Sequence, residues 1–393
     1  MPARMIIGAD LVPTRNNYEL FEAGDIGTLI GEELSEKLNE ADFTVFNLEV
    51  PLTDEQHPIV KCGPNLIAPT STINGLKTIN PHFFGLANNH ILDQDVEGLA
   101  STLKTLKEAN IAYSGVGKNL DEASKPFIKE INGKRVGIYC CAEHEFSIAT
   151  ETTPGANPFD PLESLDHVKQ LKHDVDYVIV LYHGGKEHYR YPSPYLQKVC
   201  RKLVDKGADL VVCQHSHCIG CEEKYNNGTI VYGQGNFLFD NCDSEFWQTG
   251  LLIVLNDDFD VSYYPIVKEA NTVRAASEER GKEILRDFYK RSEMIKNPDF
   301  VREEYSRFAS KMYMQQTSPF RKRESFLFRV INKLSGNRIR TRLAYSIPQD
   351  KLYVQINFVE CEAHRELLIE GLKIRTKDVH DLLAEQGKEV ISC

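Results

Sequence analysis

Several kinds of segment are absent from this 393-residue sequence, and each absence narrows the class of protein. No apolar stretch approaches the roughly 20 residues that a membrane-spanning helix needs. There is no internal repeat and no low-complexity linker, and the composition is neither collagenous nor that of a wholly disordered chain. We therefore expect a globular protein of about two or three domains.

Cysteine spacing that would indicate a disulfide framework is also absent. The ten cysteines include the adjacent pair Cys140 and Cys141, and in so long a chain they favour free thiols in a reducing compartment. We therefore expect a cytoplasmic location. One CxxC segment, from Cys218 to Cys221, allows a zinc knuckle or a redox site as an alternative, but thiolate zinc sites commonly need two such pairs and the sequence has no second one.

The excess of basic residues that nucleic-acid binding favours is absent as well. The 46 Lys and Arg are outnumbered by 57 Asp and Glu, and the net charge of −11 argues against general nucleic-acid binding. Segment 318–345 is the exception, because it carries eight basic residues and one acid among interleaved apolar residues. It fits either a basic amphipathic helix that lies on an anionic surface or a helix packed on the core with a solvated basic face.

The sequence does contain a regular alternation of short apolar runs and helix-like segments up to about residue 265. Branched aliphatic residues dominate the runs, as is typical of buried strands in an α/β sheet. We therefore expect an α/β domain over residues 1–268 and a mainly helical extension over 269–393, in which 352–359 is alternatively a strand. The predicted strands lie at 4–8, 43–46, 83–87, 111–114, 134–141, 177–182, 209–213, 229–232, 251–256 and 261–265.

Polar side chains follow many of these runs directly. Because ligands of open α/β sheets bind beyond the carboxyl ends of the strands, we expect these side chains to converge on one edge. Nitrogen and oxygen donors without thiolates suit Mn, Fe, Zn or Mg, and Glu49 is placed to bridge two ions. The predicted metal ligands are Asp10, Glu49, Asn89, His183, His215 and His217.

Each of these residues has a structural alternative when it is taken alone. Asp10 also suits a helix N-cap or a turn, and Glu49 suits a solvated loop. A lone histidine such as His183 is usually structural or solvated. The repetition of the same context at successive strand ends is what favours metal binding.

The segment 87–93, Ala-Asn-Asn-His-Ile-Leu-Asp, is the most specific of these turns. We expect His90 to face the substrate as a general acid for a leaving oxygen, with Asp93 orienting it through a hydrogen bond. His90 and Asp93 are thus the predicted catalytic residues, and a structural capping role is the alternative. We predict three substrate contacts in the turns that follow strands 177–182 and 229–232. They are Glu187, His188 and Asn236.

These turns, in this order, resemble the CapA family of capsule or poly-γ-glutamate synthesis proteins, which is similar in fold to calcineurin-like metallophosphoesterases. The resemblance covers roughly residues 4–265 and depends on the order and spacing of seven motifs. They are Gly-Ala-Asp10, Asn47-Leu-Glu49-x-Pro51, Ala87-Asn-Asn-His90-x-x-Asp93, Gly115-Val-Gly117, His183-Gly-Gly-x-Glu187, His215-x-His217 and Gly235-Asn-Phe-x-Phe239-Asp240.

The resemblance implies a metallophosphatase-like four-layer β-sandwich flanked by helices (α-β-β-α), with a two-metal site between strand ends. All six predicted ligands match metal-binding positions of the family, and His90 matches its catalytic histidine. Three positions depart from the phosphoesterase pattern. Val12 replaces a histidine, Glu49 replaces an aspartate, and Cys213-Gln214 replaces a glycine-histidine pair. Because a valine side chain cannot bind a metal, we expect one of the two metal positions to have one ligand fewer than in the phosphoesterases.

The resemblance also implies a metal-dependent hydrolase that acts in capsule, exopolysaccharide or poly-γ-glutamate biosynthesis. Two-metal chemistry favours a phosphoester as the bond cleaved, whereas the family's association favours a γ-glutamyl amide. The expected cofactors are two divalent metal ions, and the expected partner is a cell-surface polymer or its precursor. The alternative is a non-catalytic metal-binding partner of a membrane-bound polymer synthase, peripheral to the membrane and docked through residues 318–345.

Overall fold

The computed structural model describes residues 5–239, 243–317 and 325–385. The chain divides into two compact units, with the boundary between Tyr305 and Ser306. The first unit contains the whole predicted α/β region and continues past residue 268. A functional boundary at residue 268 stays a prediction.

The strands are short, and the central strands of both sheets are buried along all or most of their length. Because both faces of a central strand are covered, its sequence is an unbroken apolar run rather than an alternation of polar and apolar residues. The strands are β1 (Met5–Leu11), β2 (Phe43–Leu48), β3 (Phe83–Gly85), β4 (Ala112–Ser114), β5 (Val116–Gly117), β6 (Phe127–Ile131), β7 (Lys134–Ala142), β8 (Gly155–Ala156), β9 (Tyr177–His183), β10 (Leu210–Gln214), β11 (Glu222–Tyr225), β12 (Gly228–Tyr232), β13 (Asn236–Leu238), β14 (Thr249–Leu255), β15 (Val261–Glu269) and β16 (Thr272–Ala275).

Helices connect most of the parallel strands and dominate the chain after residue 277. Short 3₁₀ helices at Thr70–Thr72 and Glu245–Trp247 supplement them. The α-helices are α1 (Tyr18–Ala23), α2 (Ile26–Leu29), α3 (Glu32–Asn39), α4 (Ile73–Thr78), α5 (Asp95–Glu108), α6 (Leu120–Ala123), α7 (Ser164–Asp174), α8 (Pro194–Asp205), α9 (Glu278–Met294), α10 (Pro298–Gln316), α11 (Phe326–Leu334), α12 (Arg338–Tyr345), α13 (Gln349–Glu360) and α14 (Glu362–Glu385).

Two large mixed sheets dominate the first unit, and β5 pairs with β8 in a small antiparallel sheet. The first has the strand order β16-β15-β14-β1-β2-β3-β4, and β13 pairs with the last residues of β1. The second has the order β11-β12-β10-β9-β7-β6. Strands β1 to β4 are parallel in the first sheet, and β12, β10, β9 and β7 are parallel in the second, with antiparallel partners at the edges.

The two sheets pack face to face, with helices on their outer sides. Alternate residues of the second sheet, such as Leu181 and Val212, share one core with β1, β2 and β3. The residues between them, such as Val180 and Val211, are buried against α7 and α8. Helices α1, α3, α4 and α5 contribute buried side chains to the core of the first sheet. The predicted four-layer α-β-β-α fold is therefore confirmed.

The region after residue 268 contains a strand that the sequence analysis did not predict. Residues Thr272–Ala275 form β16, which pairs with β15 across a tight turn in which Ala270 has a φ of 51°. Helix α9 then packs against β14 and β15 of the first sheet, because Ile284 and Phe288 are buried with Leu251 and contact Tyr263. The predicted helical extension thus begins only at α9.

The second unit is helical wherever the structure describes it. Residues 352–359, for which a strand was the alternative, lie within α13. Residues 318–324 of the predicted basic segment lie outside the described residues, and the remainder forms α11 and α12. On α11, Phe326, Leu327 and Leu334 are 74%, 67% and 84% exposed. None of the described helices combines the length and the apolar character that crossing a bilayer requires.

Candidate metal centre

Five strands deliver the six predicted metal ligands to one buried site. Each ligand lies at or shortly after the carboxyl end of β1, β2, β3, β9 or β10, where parallel strands of an α/β fold present ligand-binding groups. No member of the set is more than 7% exposed. We call this set the ligand cluster, and its members are Asp10, Glu49, Asn89, His183, His215 and His217.

One group of donor atoms surrounds the imidazole of His183. Its Nε2 lies 3.2 Å from Glu49 Oε1, 3.0 Å from Asn89 Oδ1 and 3.1 Å from His215 Nδ1. The donor atoms of Glu49, His183 and His215 all lie within 4.8 Å of one another. The Nε2 atom of His183 cannot form hydrogen bonds to all three neighbouring atoms at once. A metal ion placed among them can bind Nε2 and all three neighbours.

A second group shares Glu49 with the first. The donor atoms of Asp10, Glu49 and His217 also lie within 4.8 Å of one another, and His217 Nδ1 is 3.4 Å from Asp10 Oδ2. Val12 is buried in the apolar core, so the position where phosphoesterases have a histidine offers no donor. Asn236 instead approaches this group, with its Oδ1 2.9 Å from His217 Nδ1.

The backbone after β10 is bent to bring both of its histidines inward. His215 has a φ of 78° and His217 a φ of 52°, a region that residues with a side chain rarely occupy. Each such residue costs about 1–3 kcal/mol, and this kind of strain is concentrated at functional sites. The strained turn is therefore consistent with a role in holding a ligand.

The charges of the cluster influence one another strongly. Burial raises the pKa of the Asp10 carboxyl, but the hydrogen bond from His217 and the charges of His183 and His217 outweigh it and leave that pKa below its usual value. Burial lowers the pKa of His217, whereas Glu49 and Asp10 raise it to about 9. Burial and the neighbouring histidines hold the pKa of His215 well below its usual value. His215 is thus held in the neutral form that binds metals.

Glu49 tests whether these residues fit a metal ion. Among the residues that the structure describes, neither of its buried carboxylate oxygens has a hydrogen bond of good geometry, although Oε1 lies 3.2 Å from His183 Nε2. A buried carboxylate is very unfavourable unless it is paired or coordinates a metal. A divalent cation shared by the two groups would satisfy both oxygens, and the available nitrogen and oxygen donors suit Mn, Fe, Zn or Mg. The donor set therefore fits a divalent metal.

Hydrogen bonds outside the cluster orient its members. Asn47 donates from Nδ2 to Asp10 Oδ1 at 2.7 Å, and the same nitrogen lies 3.2 Å from His183 Nδ1. Asn89 donates from its amide nitrogen to Glu145 at 2.8 Å, which turns its amide oxygen toward His183. Such supporting contacts are a regular feature of metal sites. The sequence analysis did not identify Glu145, because this residue lies in a loop that contains none of the seven motifs.

His90 lies beside the cluster in the arrangement that its motif predicts. Its Nδ1 is 2.6 Å from Asp93 Oδ2, so the ring donates to Asp93 and keeps Nε2 available to a substrate. Asp93 also accepts from the backbone N–H of Leu66 at 2.6 Å. Lys61, which the sequence analysis did not identify, is buried in an ion pair with Asp93 and has its Nζ 3.2 Å from His90 Nδ1.

The predicted substrate contacts differ in position. His188 is half-buried near the cluster, with its ring 6.4 Å from that of His217, and it accepts a hydrogen bond from Trp247 at 2.9 Å. Asn236 contacts His217, as described above. Glu187 is exposed, and no hydrogen bond or ion pair within the described part of the chain joins it to the cluster. The roles of all three stay predictions.

The cysteines near the cluster are separate from it. Cys213, Cys218 and Cys221 are buried, and burial raises the pKa of the Cys218 thiol to about 11. Among the described residues, both groups that are arranged to hold a metal consist of histidines and carboxylates. The geometry therefore gives the thiolate alternative no support.

Two solved structures are distantly similar to this chain. A hypothetical protein from Thermus thermophilus aligns with 68% of this chain and 99% of its own, at 11% identity and a TM-score of 0.42. A 5'-nucleotidase from Candida albicans aligns with 73% of this chain and 58% of its own, at 14% identity and a TM-score of 0.38.

Sequence similarity to curated proteins is stronger. "Capsule biosynthesis protein CapA" of Bacillus anthracis is 32% identical over 216 residues, which cover 53% of each chain. "PGA biosynthesis protein CapA" of Bacillus subtilis (strain 168) is 29% identical over 204 residues, covering 51% of this chain and 54% of the relative. The chain spans about half the length of the curated relatives it matches.

One protein family matches most of the first unit. The family described as "Bacterial capsule synthesis protein PGA_cap" matches residues 6–241, which is more than half of the chain. This stretch includes the whole ligand cluster together with His90 and Asp93. The chain therefore belongs to the bacterial capsule synthesis family PGA_cap, the CapA family that its turn motifs resemble.

Proposed function

We propose that this protein is a metal-dependent hydrolase that acts in the synthesis of a capsule or of poly-γ-glutamate. The observation that carries the proposal is the position of Glu49, whose carboxylate belongs to both donor groups. Both of its oxygens are buried, and neither finds a hydrogen-bond partner in the described part of the chain. Two donor groups that share one carboxylate suit two-metal hydrolysis. The names of the curated relatives support the polymer pathway.

The ligand cluster would hold the metal, and His90 would supply the proton. A divalent metal in such a site polarises the oxygen of the scissile bond and lowers the pKa of a water molecule. His90 is assigned as the general acid for the leaving group, since its Nδ1 is committed to Asp93 and its Nε2 remains free. Asp93 and Lys61 act as positioning residues, because they fix the ring and compensate each other's charge.

Both candidate bonds, a phosphoester and a γ-glutamyl amide, present an oxygen that a metal can polarise. The purified, Mn-loaded protein should therefore be assayed with a generic phosphodiester and with a γ-linked glutamate peptide. Cleavage of one of them identifies the bond class. Cleavage of neither by the fully loaded protein contradicts the proposal.

Variants separate metal binding from catalysis. We expect Glu49→Gln to lose bound metal, measured by plasma mass spectrometry, and to lose activity with it. His90→Ala should retain the metal and lower kcat by about 10²–10⁴, the usual contribution of a general acid. Glu151→Gln, at an exposed position outside the cluster, is the matched control and should change neither quantity.

A second candidate function is that of a non-catalytic metal-binding partner of a membrane-bound polymer synthase. The observation that favours it is the exposed apolar surface of α11 in the second unit. In a producing cell, this alternative predicts that His90→Ala leaves polymer output unchanged while substitutions on α11 abolish it. The hydrolase predicts a loss of output with His90→Ala. A cytoplasmic location stays a prediction under both functions.

A further inference from the structure

A cavity of about 360 Å³ lies between the loops after β9 and β10, the segment 245–249 and one side of α9. Three arginines line it, together with two carboxylates and several neutral residues. The charged lining residues are Arg190, Glu245, Arg280, Asp287 and Arg291.

Two of these arginines donate hydrogen bonds to consecutive backbone carbonyls, which brings them near each other. Arg190 donates from Nη1 to Ile219 O at 2.9 Å, and Arg291 donates from Nε to Gly220 O at 2.7 Å. Burial and the positive charge of Arg190 lower the pKa of Arg291. Two like charges held this way repel each other, and an anion between them would relieve the repulsion.

The carboxylates that line the cavity compensate these two arginines only in part. Glu245 is 78% exposed and lies 3.8 Å from Arg190 Nη2, which is a long contact for an ion pair. Asp287 is directed toward exposed Arg286 at 3.4 Å. Within the described residues, Arg291 thus enters the cavity without a carboxylate partner.

The cavity lies close to the ligand cluster, because the ring of His188 is 6.4 Å from that of His217 and the cavity begins at Arg190. Ile219 lines the cavity two residues after His217, and Arg190 follows His188 by two residues. The ring of Phe246 lies between His188, which is next to the cluster, and Arg190, which lines the cavity. It stacks on the His188 ring at 5.3 Å and lies 4.8 Å from the Arg190 guanidinium. A substrate of several linked units that is bound at the cluster is therefore long enough to reach the cavity.

We propose that this cavity is an oxyanion subsite in which Arg190 and Arg291 bind a carboxylate of an anionic polymer while the bond to be cleaved lies at the ligand cluster. The planar fork of a guanidinium matches a carboxylate or a phosphate, and it binds either group more specifically than an ammonium does. A γ-linked glutamate chain carries one free carboxylate on every residue, so its neighbouring units suit this pocket. The inference rests on the proposed function, because it names the substrate class of the same site.

Binding of a γ-linked glutamate pentamer, measured by calorimetry on the full chain carrying His90→Ala, tests the subsite without turnover. Added Arg190→Gln or Arg291→Lys should weaken binding by about tenfold or more, as expected for a lost charged hydrogen bond. Arg291→Lys keeps a positive charge and a donor for the Gly220 carbonyl but loses the guanidinium fork, and an unchanged urea midpoint should verify that the variant is folded. Arg302→Gln, whose side chain is 62% exposed and pairs with Asp299 outside the cavity lining, is the control and should bind normally.

Inorganic phosphate, titrated in parallel, distinguishes the source of the oxyanion. Pentamer binding that depends on both arginines supports the proposal even if the unmodified protein hydrolyses nothing, a result that would contradict only the proposed function. Phosphate binding with the same dependence, but no pentamer binding, overturns the polymer assignment. Pentamer binding that neither substitution weakens, at unchanged metal content, overturns the subsite itself.

Discussion

The ion pair between Lys61 and Asp93 is buried on both sides, with side-chain exposures of 2% and 0%. Removing one member of such a pair leaves an uncompensated charge in the protein interior. We expect Lys61→Met to lower the free energy of unfolding by about 3–5 kcal/mol, measured by urea denaturation. The double variant Lys61→Met/Asp93→Asn should recover part of this loss, because it removes both charges.

The double variant also separates stability from positioning. If the pair only stabilises the fold, the double variant should hydrolyse substrate as fast as the unaltered protein. If the pair positions His90, kcat should remain low while KM and metal content stay unchanged. A single Lys61→Met variant as stable as the unaltered protein would show that the charge on Asp93 is compensated in another way.

The reactivity of the cysteines tests the separation of thiols from the metal site. Burial raises the pKa of Cys218 to about 11 and that of Cys140 to about 12. At pH 8 only about one Cys218 thiol in a thousand is then ionised, because each pKa unit is a factor of ten. We expect iodoacetamide at pH 8 to label exposed Cys62 and to leave Cys218 and Cys221 unlabelled, as read by peptide mass spectrometry.

Metal removal provides the control for this experiment. If Cys218 and Cys221 bound zinc, a chelator would expose them to labelling and the double substitution to serine would release metal. We expect neither effect. Labelling in urea should reach both cysteines and so confirm that their protection comes from the fold.

At the level of single residues, the sequence predicted which candidate ligands lie together better than it predicted the residues around them. Asp10, Glu49 and His183 were identifiable because each comes at the end of an apolar run, and parallel strand ends meet at one edge. Lys61 and Arg291 carry no such signal. Lys61 lies in an irregular loop, Arg291 lies in a charged helix, and only the tertiary fold brings either of them near the site.

At the level of elements, β13 fixes the position of Asn236 against β1. Asn236 is the register partner of Asp10, and Gly235 precedes it with a φ of 79°. A Cβ at Gly235 would lie 2.6 Å from the carbonyl oxygen of Thr249 in β14. Glycine is thus needed at this position both for its conformation and for the close approach of the two strands.

Gly235→Ala is therefore expected to be costly, and Gly133→Ala is its matched control. Gly133 has a similar φ of 73° but has no atom within 4 Å of an added Cβ. The control should lose about 1–2 kcal/mol in urea unfolding, the cost of the left-handed conformation alone. Gly235→Ala should lose about 1–3 kcal/mol more, because the added carbon overpacks the strand contact. Equal losses would contradict the close approach.

The length of its apolar run decides whether a strand can be predicted from the sequence. Central strands such as β9 and β10 are continuous apolar runs, so their positions follow from composition. Strand β16 is a short edge strand with one buried residue, Val273. Its four residues contain no apolar run that would distinguish them from a loop. Its pairing depends on β15, which is information that a local pattern does not contain.

At the level of the whole molecule, the charge is divided unequally between segments. The chain carries a net charge of −11, yet residues 325–345 contain five Lys or Arg and no acid. In α11 the apolar side chains of Phe326, Leu327 and Leu334 are exposed beside these charges. A basic helix with exposed apolar residues is typical of a segment that lies on an anionic membrane surface.

The full chain should therefore bind vesicles that contain phosphatidylglycerol and should not bind neutral vesicles, as measured by flotation. Burial of apolar side chains in the lipid interface and attraction to anionic headgroups act together, so Phe326→Glu/Leu334→Glu should abolish flotation. Leu162→Glu, at a position that is 79% exposed in the first unit, is the matched control and should leave flotation unchanged. Equal flotation of all three proteins would exclude α11 as the contact. Flotation that is lost only for Phe326→Glu/Leu334→Glu and that weakens with salt would assign membrane contact to this helix, because salt screens the attraction between its basic residues and the lipid.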